Sequence, residues 1–279
     1  MNPPSISICG TLYVVATPIG NLADSSPRSI EILRAADIVA CEDTRTSRTL
    51  LARHGIAART VALHSHNERA ATEKLLRALR EGRSVALVSD AGTPGISDPG
   101  ALLVAAAHRE GVRVVPVSGP NAAATAYSAA GFDAAGFLFA GFLPANAKKA
   151  LDRLEGPWPV ILYEAPHRVA ATVAVLLERF GPAREIVIAR ELSKKFEEIA
   201  RMKLADAPAW LAGGPHRQEG EFVLVLGPGE EEGASRAEAE RVLAILLERL
   251  PAGDAAKLAA RITGVPRNEL YRTTLKDSK

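Results

Sequence analysis

Polar side chains follow apolar, strand-like runs of the chain at several points. Glu42, Asp43 and Arg45 come directly after the run at 37–40, and His167 follows the apolar run VILY. Ligands of open α/β sheets bind outside the carboxyl ends of the strands, so we expect these side chains to line a site. A carboxylate or a neutral imidazole there can accept a proton, and the residues therefore predict acid–base chemistry.

The acidic pair and the histidine each allow a second interpretation. The guanidinium of Arg45 can keep one carboxylate of the pair ionised and itself stay free for a phosphate. The alternative is a solvated, ion-paired turn, which contributes less than about 1 kcal/mol when it is exposed. His167 and Arg168 can equally open the helix that follows their strand.

The segment SVALVSDAGTPGISDPG, at 84–100, changes from an apolar run into a loop rich in Gly, Pro and Asp. Glycine in such a loop lets the backbone approach a ligand closely. Asp90 can accept hydrogen bonds from that ligand or from its own backbone. Asp98 can serve the site or cap the helix that begins near Pro99. The loop has no Lys and the chain has neither GxxxxGK[ST] nor GxGxxG, which argues against nucleoside triphosphates and commonly bound dinucleotides.

His64 and His66 alternate with polar residues in the run HSHNE. A zinc site needs further ligands at a recognised spacing, and the chain supplies no such pair, so no metal is predicted. The alternative is a helix start with Asn67 as its N-cap.

The composition bounds the class of protein. The chain has 279 residues, of which 47% are hydrophobic, and this suffices for about two folded domains. Its 34 basic and 32 acidic residues leave a net charge of +2, which by itself indicates neither a nucleic-acid nor a membrane partner. Cys9 and Cys41 are too few for a disulfide framework. Without a signal-like start or an apolar run of about 20 residues, the expected location is the cytoplasm, with no membrane partner.

Short apolar runs alternate with longer helical patterns along the chain. The patterns predict strands at 12–16, 37–40, 85–88, 112–117, 160–163, 185–189 and 222–226, and helices at 29–36, 47–54, 68–81, 101–110, 122–130, 169–180 and 206–212. This alternation is typical of α/β folds with a parallel sheet. We expect an N-terminal α/β domain over 1–125, a C-terminal α/β domain over 126–229, and a linker with a helical tail over 230–279. The segment 227–235 is expected to be a flexible, acidic connection.

Five longer runs occur in a characteristic order and spacing, namely LYVVATPIGNLAD, CEDTRTSR, ALVSDAGTPGISDPG, LYEAPHR and ARELSKKFEE. Over about residues 10–228 the chain thereby resembles the bacterial small-subunit ribosomal RNA ribose 2′-O-methyltransferases of the tetrapyrrole-methylase superfamily. The resemblance implies two α/β domains of the tetrapyrrole-methylase type with S-adenosylmethionine in the cleft between them, in a homodimer. It also implies 2′-O-methylation of the ribose of a cytidine in the decoding region of small-subunit (16S) ribosomal RNA, with that RNA or the small ribosomal subunit as partner.

Two other functions are compatible with parts of this pattern. A small-molecule methyltransferase that acts on a tetrapyrrole would share the fold and the cofactor, and its cleft would close around a flat macrocycle with few Arg residues nearby. A non-catalytic RNA-binding protein would keep the fold alone, and the intact glycine loops argue against it.

The resemblance assigns site residues position by position. It places the cofactor against Pro18, Gly20, Asp90, Ala91, Gly92, Thr93, Pro94, Ser118, Gly119, Pro120, Asn121, Ala122, Pro166, Gly220, Glu221 and Phe222. It places RNA contacts at Arg45, Arg48, His66, Lys148, Lys149, Arg168, Arg190 and Lys194. The chain departs from the family pattern at Ser118, where Pro is usual, at Gly95, where a larger apolar residue is usual, and at Ala165, where Ser is usual.

The implied reaction is a displacement at a methyl group that a sulfonium already activates. Alignment of the reacting atoms can then supply about 7–11 kcal/mol, and no metal is required. A base must still take the proton of the ribose hydroxyl, an effect typically of about 10²- to 10⁴-fold. The candidates for that base are Glu42, Asp43, His167 and Glu191, with His64 and Glu164 as further alternatives.

Overall fold

Two five-stranded sheets with flanking helices are followed by three helices at the carboxyl end of the chain. The computed structural model describes residues 10–144, 148–229 and 231–276. Its two sheets and helical tail confirm the predicted α/β class. Cys9 lies outside the described residues, and Cys41 is a buried, free thiol.

The first sheet is parallel throughout, with the strand order β3-β2-β4-β1-β5. Its strands are β1 (Thr11–Val15), β2 (Ile38–Cys41), β3 (Thr60–Ala62), β4 (Val85–Leu87) and β5 (Arg113–Val117), and its helices are α1 (Pro27–Ala35), α2 (Thr44–Arg53), α3 (Glu68–Arg80) and α4 (Ala101–Arg109). Every residue of β2 and β4 is buried, as expected for inner strands that are covered on both faces. Because the strands are parallel, the loops after β1, β4 and β5 lie at one edge of the sheet.

The second sheet is mixed, with the strand order β6-β7-β10-β8-β9, in which β6 and β7 are parallel and the other pairs antiparallel. Its strands are β6 (Leu138–Phe142), β7 (Val160–Glu164), β8 (Glu185–Arg190), β9 (Glu198–Lys203) and β10 (Phe222–Leu226), and its helices are α6 (Lys148–Leu151), α7 (Val169–Phe180) and α8 (Ala207–Ala212). Alternate residues of β7, β8 and β10 belong to two cores, one on each face of the sheet.

The helix α5 (Ala122–Ala130) leaves the first sheet and covers one face of the second. Its buried alanines, Ala123, Ala126 and Ala130, form a core with Ile161 and Val223 of the second sheet, among others. The predicted domain boundary after residue 125 therefore falls inside a helix that packs as a unit. The small side chains of α5 allow the helix to pack closely on the sheet. A change of composition along the sequence, from which the boundary was predicted, does not show which sheet a helix packs against.

Two strands of the second sheet were not predicted. In β6 the pairing with β7 shifts between Phe139 and Gly141, and Gly141 has a φ of +63°. This bulge interrupts the alternation of apolar and polar residues by which a strand is predicted from sequence. β9 lies at the edge of the sheet, and only alternate residues of it are partly buried. Its charged residues therefore indicated an exposed segment rather than a strand.

The carboxyl-terminal helices are α9 (Glu231–Leu247), α10 (Ala252–Thr263) and α11 (Arg267–Lys276), which share a small core of their own. The expectation of a flexible connection over 227–235 is wrong on two counts. The N–H groups of Gly227 and Gly229 donate to the carbonyls of Glu185 and Gly156, at 2.8 and 3.1 Å, and α9 already begins at Glu231. Across the described residues, we find no helix with both the length and the apolarity that crossing a membrane demands.

A glutamate from another helix caps α4. The backbone N–H groups of Gly100 and Leu102 donate to Glu68 Oε1 at 2.8 and 3.2 Å, and Gly100, with a φ of +125°, is the N-cap residue. The cap interpretation of Asp98 is therefore wrong. Asn67 precedes α3 as expected, but its amide oxygen accepts from the N–H of His64 rather than from the helix.

Glu68→Ala is expected to lower the free energy of unfolding by about 1–2 kcal/mol, because two N–H groups at the start of α4 lose a charged acceptor. Urea unfolding measures the change. Glu73→Ala is the matched control, since Glu73 is exposed on the same helix. Equal midpoints for the two variants would show that the cap carries no stability.

Candidate active site

A cavity of about 390 Å³ lies between the carboxyl edge of the first sheet and the second sheet. Its volume is within the range of about 300–1,000 Å³ that is usual for small-molecule sites. Half of the predicted cofactor residues line it, namely Ala91, Gly92, Thr93, Asn121, Ala122, Pro166, Glu221 and Phe222. The others lie within three residues of the lining in the sequence, namely Pro18, Gly20, Asp90, Pro94, Ser118, Gly119, Pro120 and Gly220.

Several lining residues were not predicted. They are apolar or hydroxyl-bearing positions in the loops or on strand ends, namely Ile96, Ser97, Phe142, Tyr163, Leu192 and Val223. Such residues carry no chemical signature, so no local signal in the sequence marks these positions.

Glycines hold the first-sheet loops together at the cavity. The N–H of Thr17 donates to the carbonyl of Gly92 at 2.8 Å, and the N–H of Gly92 donates back at 3.0 Å. Gly92 has a φ of +81°, which an L side chain rarely adopts. A Cβ on Gly119 would lie 2.9 Å from the Cβ of Ala16, so the loops after β1 and β5 also touch closely.

The lining fits S-adenosylmethionine chemically. Ile19, Leu192 and Val223 give the cavity an apolar surface, as is usual for sites of small molecules with an aromatic ring. Asp98 adds a carboxylate to the lining.

Three carboxylates gather at the first-sheet edge of the cavity. Burial, reinforced by the neighbouring charges of Glu42 and Asp90, raises the pKa of Asp98 to about 6, although the hydroxyl of Ser89 opposes the shift. Burial also raises the pKa of Glu42, and the charge of Asp90 adds to it. Asp90 accepts a hydrogen bond from the backbone N–H of Asp43 at 3.0 Å, so the loop after β2 uses part of its hydrogen-bonding capacity.

Asp43 has a structural task in this region. It is the N-cap of α2, accepting from the N–H of Arg45 at 2.7 Å, and the guanidinium of Arg45 bonds the same carboxylate at 2.7 Å. These bonds lower the pKa of Asp43 to about 2. The ion-paired turn is thus the arrangement present, and the expectation that the Arg45 guanidinium stays free is wrong.

A second ion-paired cluster closes the cavity on the side of the second sheet. Glu191 Oε1 accepts from Lys194 Nζ and from the N–H of Glu221, each at 2.9 Å, and Lys194 Nζ also reaches Glu221 Oε2 at 2.9 Å. Burial alone would raise the pKa of Glu191, but these bonds outweigh it and lower the value. Ser193 beside it donates to Asp24, which ties the second unit to the loop after β1.

Glu164, at the end of β7, is fully buried and has both oxygens occupied. Oε2 accepts from the hydroxyl of Thr172 at 2.6 Å and Oε1 from the N–H of Ala165 at 2.8 Å, with Arg168 Nε 3.4 Å from Oε1. The carboxylate therefore joins β7 to the first turns of α7, and each of its oxygens already accepts a hydrogen bond from within the chain.

Thr172→Val is expected to lower the free energy of unfolding by about 1.5–3 kcal/mol, because it removes a hydrogen bond to a buried charged group without changing the side-chain shape. Thr46→Val, on the exposed face of α2, is the control. Chemical denaturation of both variants at pH 7.5 checks the difference, and a loss below about 0.5 kcal/mol relative to that control would contradict the account.

The predicted RNA contacts fall into three groups: exposed side chains, side chains held within the chain, and side chains that the structure does not describe. Arg48 and His66 are exposed. Arg190 is only 8% exposed and its Nη1 donates to the carbonyl of Glu219, so little of it is accessible to RNA in this structure. Arg168 donates to the carbonyl of Leu143, and Lys194 is held in the cluster above. The side chains of Lys148 and Lys149 lie outside the described residues, although α6 begins at Lys148.

The histidines stand apart from the cavity. His167 is exposed and outside the lining, and His64 has its Nδ1 buried without a hydrogen-bond partner in the structure. Within the ranges 10–144, 148–229 and 231–276, no three His, Cys, Asp or Glu side chains are grouped so as to hold a metal ion.

Comparison with known proteins places the chain in a family. The model of the tetrapyrrole (corrin/porphyrin) methylases matches residues 11–208, and the model of the RsmI C-terminal HTH domain matches residues 233–278. A ribosomal RNA small subunit methyltransferase I of Xylella fastidiosa is 47% identical over 95% of this chain and 99% of its own length. One of the same name from Pseudomonas aeruginosa is 49% identical over 95% and 97%.

The solved structures agree on the fold. A uroporphyrin-III C-methyltransferase from Thermus thermophilus, solved in complex with S-adenosylhomocysteine, is 19% identical, has a TM-score of 0.55, and covers 78% of this chain and 97% of its own. The predicted resemblance and fold class are confirmed. The chain belongs to the tetrapyrrole (corrin/porphyrin) methylase family and, within it, to the relatives named ribosomal RNA small subunit methyltransferase I.

Proposed function

We propose that this chain is an S-adenosylmethionine-dependent enzyme that methylates the ribose 2′-oxygen of a cytidine in the decoding region of small-subunit (16S) ribosomal RNA. The proposed substrate is supported by the match, over 95% of this chain, to relatives that are named ribosomal RNA small subunit methyltransferase I. The solved relative that holds S-adenosylhomocysteine supports the cofactor.

The cavity between the sheets is the proposed cofactor site. Bound there, S-adenosylmethionine supplies an activated methyl group. Ala91, Gly92 and Thr93 of the loop after β4 line one side of it, together with Asn121 and Ala122 at the start of α5. Phe222 and Pro166 line the side of the second sheet, so the proposed site has walls from both sheets. Such fixed walls orient the reacting atoms, which can supply about 7–11 kcal/mol of the barrier reduction.

Phe142 supports a nucleotide substrate. Its ring lines the cavity, is 54% exposed, and lies edge-on to the ring of Tyr163 with centroids 5.7 Å apart. Proteins that recognise unpaired RNA bases stack them on exposed aromatic side chains. We therefore propose that the base of the target nucleotide stacks on Phe142, with Arg48 and His66 as RNA contacts.

The homodimer and the cytoplasm belong to this proposal as well. The homodimer rests on the resemblance described above, and the cytoplasm rests on the two cysteines, which suit a reducing compartment. Sedimentation of the purified protein at several concentrations tests the first.

The test of the function uses small ribosomal subunits that lack this modification. The purified protein and labelled S-adenosylmethionine are added to such subunits and, in parallel, to free 16S RNA, and the labelled ribose is mapped by nuclease digestion. A single 2′-O-methylcytidine in the decoding region is the expected product. Absence of label, with cofactor binding shown by calorimetry, would contradict the proposal, and labelling of a tetrapyrrole acceptor would point to the small-molecule alternative.

A further inference from the structure

Asp98 holds a position that the sequence left undecided. It lies in the loop between β4 and α4, directly after Ser97, a non-glycine residue with a φ of +67°. Its carboxyl group does not cap α4, because Glu68 does, and Asp98 is one of the residues that line the cavity. A loop with a residue in the left-handed region, aimed at a cavity rather than at its own helix, is typical of a functional position.

Of the described side chains that line the cavity, three carry a carboxylate, and two of these are already committed. Both oxygens of Glu164 accept strong hydrogen bonds in a fully buried place. Glu221 is 76% exposed and paired with Lys194 at 2.9 Å. Asp98 is half-buried, and no cation is among the groups that set its protonation.

The surroundings of the base candidates that were proposed from the sequence favour Asp98 over them. Asp43 is paired with Arg45 at the start of α2, and Glu191 is paired with Lys194. His167 is exposed, and neither His167 nor Glu42 is among the residues that line the cavity.

We propose that Asp98 is the base that takes the proton from the ribose 2′-hydroxyl, an inference that rests on the proposed function. The hydroxyl oxygen forms its bond to the methyl carbon while the carbon–sulfur bond breaks and its electron pair stays on sulfur. The hydroxyl proton moves to a carboxylate oxygen of Asp98 and leaves from there to water. The carboxylate ends the cycle ionised, so charge and atoms balance.

The surroundings of Asp98 tune it for this task. Acids and a phenol face it from three elements: Glu42 after β2, Asp90 after β4, and Tyr163 of β7, with the Ser89 hydroxyl alongside. Burial and the two acids raise its pKa to about 6, which brings a weakly basic carboxylate closer to the working pH. Above that pH the group is ionised and can accept a proton, and below it the group is blocked.

The test compares Asp98→Asn with the wild type and with Asp133→Asn, whose aspartate is exposed and outside the cavity. Methylation of unmodified small subunits is followed from pH 5 to pH 8.5. We expect wild type and Asp133→Asn to lose activity about tenfold per pH unit below about pH 6. Asp98→Asn is expected to be about 10²- to 10⁴-fold slower in kcat and to lack this acid limb.

Two further readouts separate a base from a binding or folding residue. The affinity of Asp98→Asn for S-adenosylhomocysteine, measured by calorimetry, is expected to stay within about threefold of wild type. Its melting temperature at pH 7.5 is expected to be equal or higher, because a carboxyl whose folded-state pKa is raised loses stability as the pH rises through that pKa.

The outcomes are distinct. A variant with wild-type kcat and an unchanged acid limb would overturn the assignment, as would a loss of S-adenosylhomocysteine affinity that matches the loss of activity. If the wild type itself does not label the subunits, the proposed function fails instead, and the calorimetric and thermal results then report only on the role of Asp98 in binding and stability.

Discussion

Exchanging Gly92 for valine is expected to weaken S-adenosylmethionine binding at least about 30-fold. At a φ of +81° an L residue costs about 1–2 kcal/mol. A Cβ there points between the loops, 3.5 Å from Ile19 Cγ2 and 3.8 Å from the carbonyl of Pro120, so the methyl groups of valine overlap them. Overpacking of this kind costs about 1–3 kcal/mol more. Together the backbone strain and the overpacking cost about 2–5 kcal/mol, and the loop can relieve this cost only by displacing the cavity wall. Since about 1.4 kcal/mol corresponds to a tenfold change in Kd, we expect a loss of affinity of more than tenfold.

The matched control is Gly111→Val. Gly111 has a φ of +67°, no atom lies within 4 Å of the position of its Cβ, and it is outside the cavity. Both variants are therefore destabilised by backbone strain, but only Gly92→Val is expected to deform the cofactor cavity. Calorimetry with S-adenosylhomocysteine, together with melting temperatures, separates the two effects. If the two variants bind S-adenosylhomocysteine with equal affinity, the two loops that Thr17 and Gly92 join by backbone hydrogen bonds are not part of the cofactor site.

Phe142→Ala is expected to lower kcat/KM for the ribosomal substrate about 5- to 150-fold, with KM carrying most of the change. Stacking of a base on an aromatic ring contributes about 1–3 kcal/mol, and Phe142 offers an exposed ring at the cavity. Initial rates at varied subunit concentration and saturating cofactor measure the effect. Phe142→Tyr retains the ring and is expected to keep most of the activity.

Phe137→Ala is the matched control for that experiment. Phe137 is 45% exposed, its ring lies 4.5 Å from that of Tyr127, and it does not line the cavity. Phe137→Ala and Phe142→Ala thus each remove one exposed aromatic ring, and the two variants differ only in whether that ring lines the cavity. If both alanine variants bind subunits as weakly as each other, the effect reflects general surface packing, and the proposed stacking on Phe142 is refuted.

Much of the fold follows from periodicity in the chain. The predicted helices at 122–130 and 169–180 and the predicted strand at 222–226 match the structure to the residue. These segments are bounded by strong signals: Asn121 caps α5, glycine ends both helices, and β10 is a short apolar run buried at every residue. The elements that were missed, β6 and β9, lack such signals because a bulge or an exposed edge disturbs the pattern.

By itself, the sequence determined the α/β class and the resemblance to the family, and it predicted that the loops after β1, β4 and β5 form the site. Those conclusions depend on local patterns: apolar runs, glycine loops and the order of five motifs. Only the tertiary structure decided which carboxylates are available. The cap that frees Asp98 comes from Glu68, and the partners that occupy Glu191 and Arg190 come from distant segments of the chain. A side chain's protonation and its free lone pairs depend on neighbours that folding brings together, and no spacing along the chain records them.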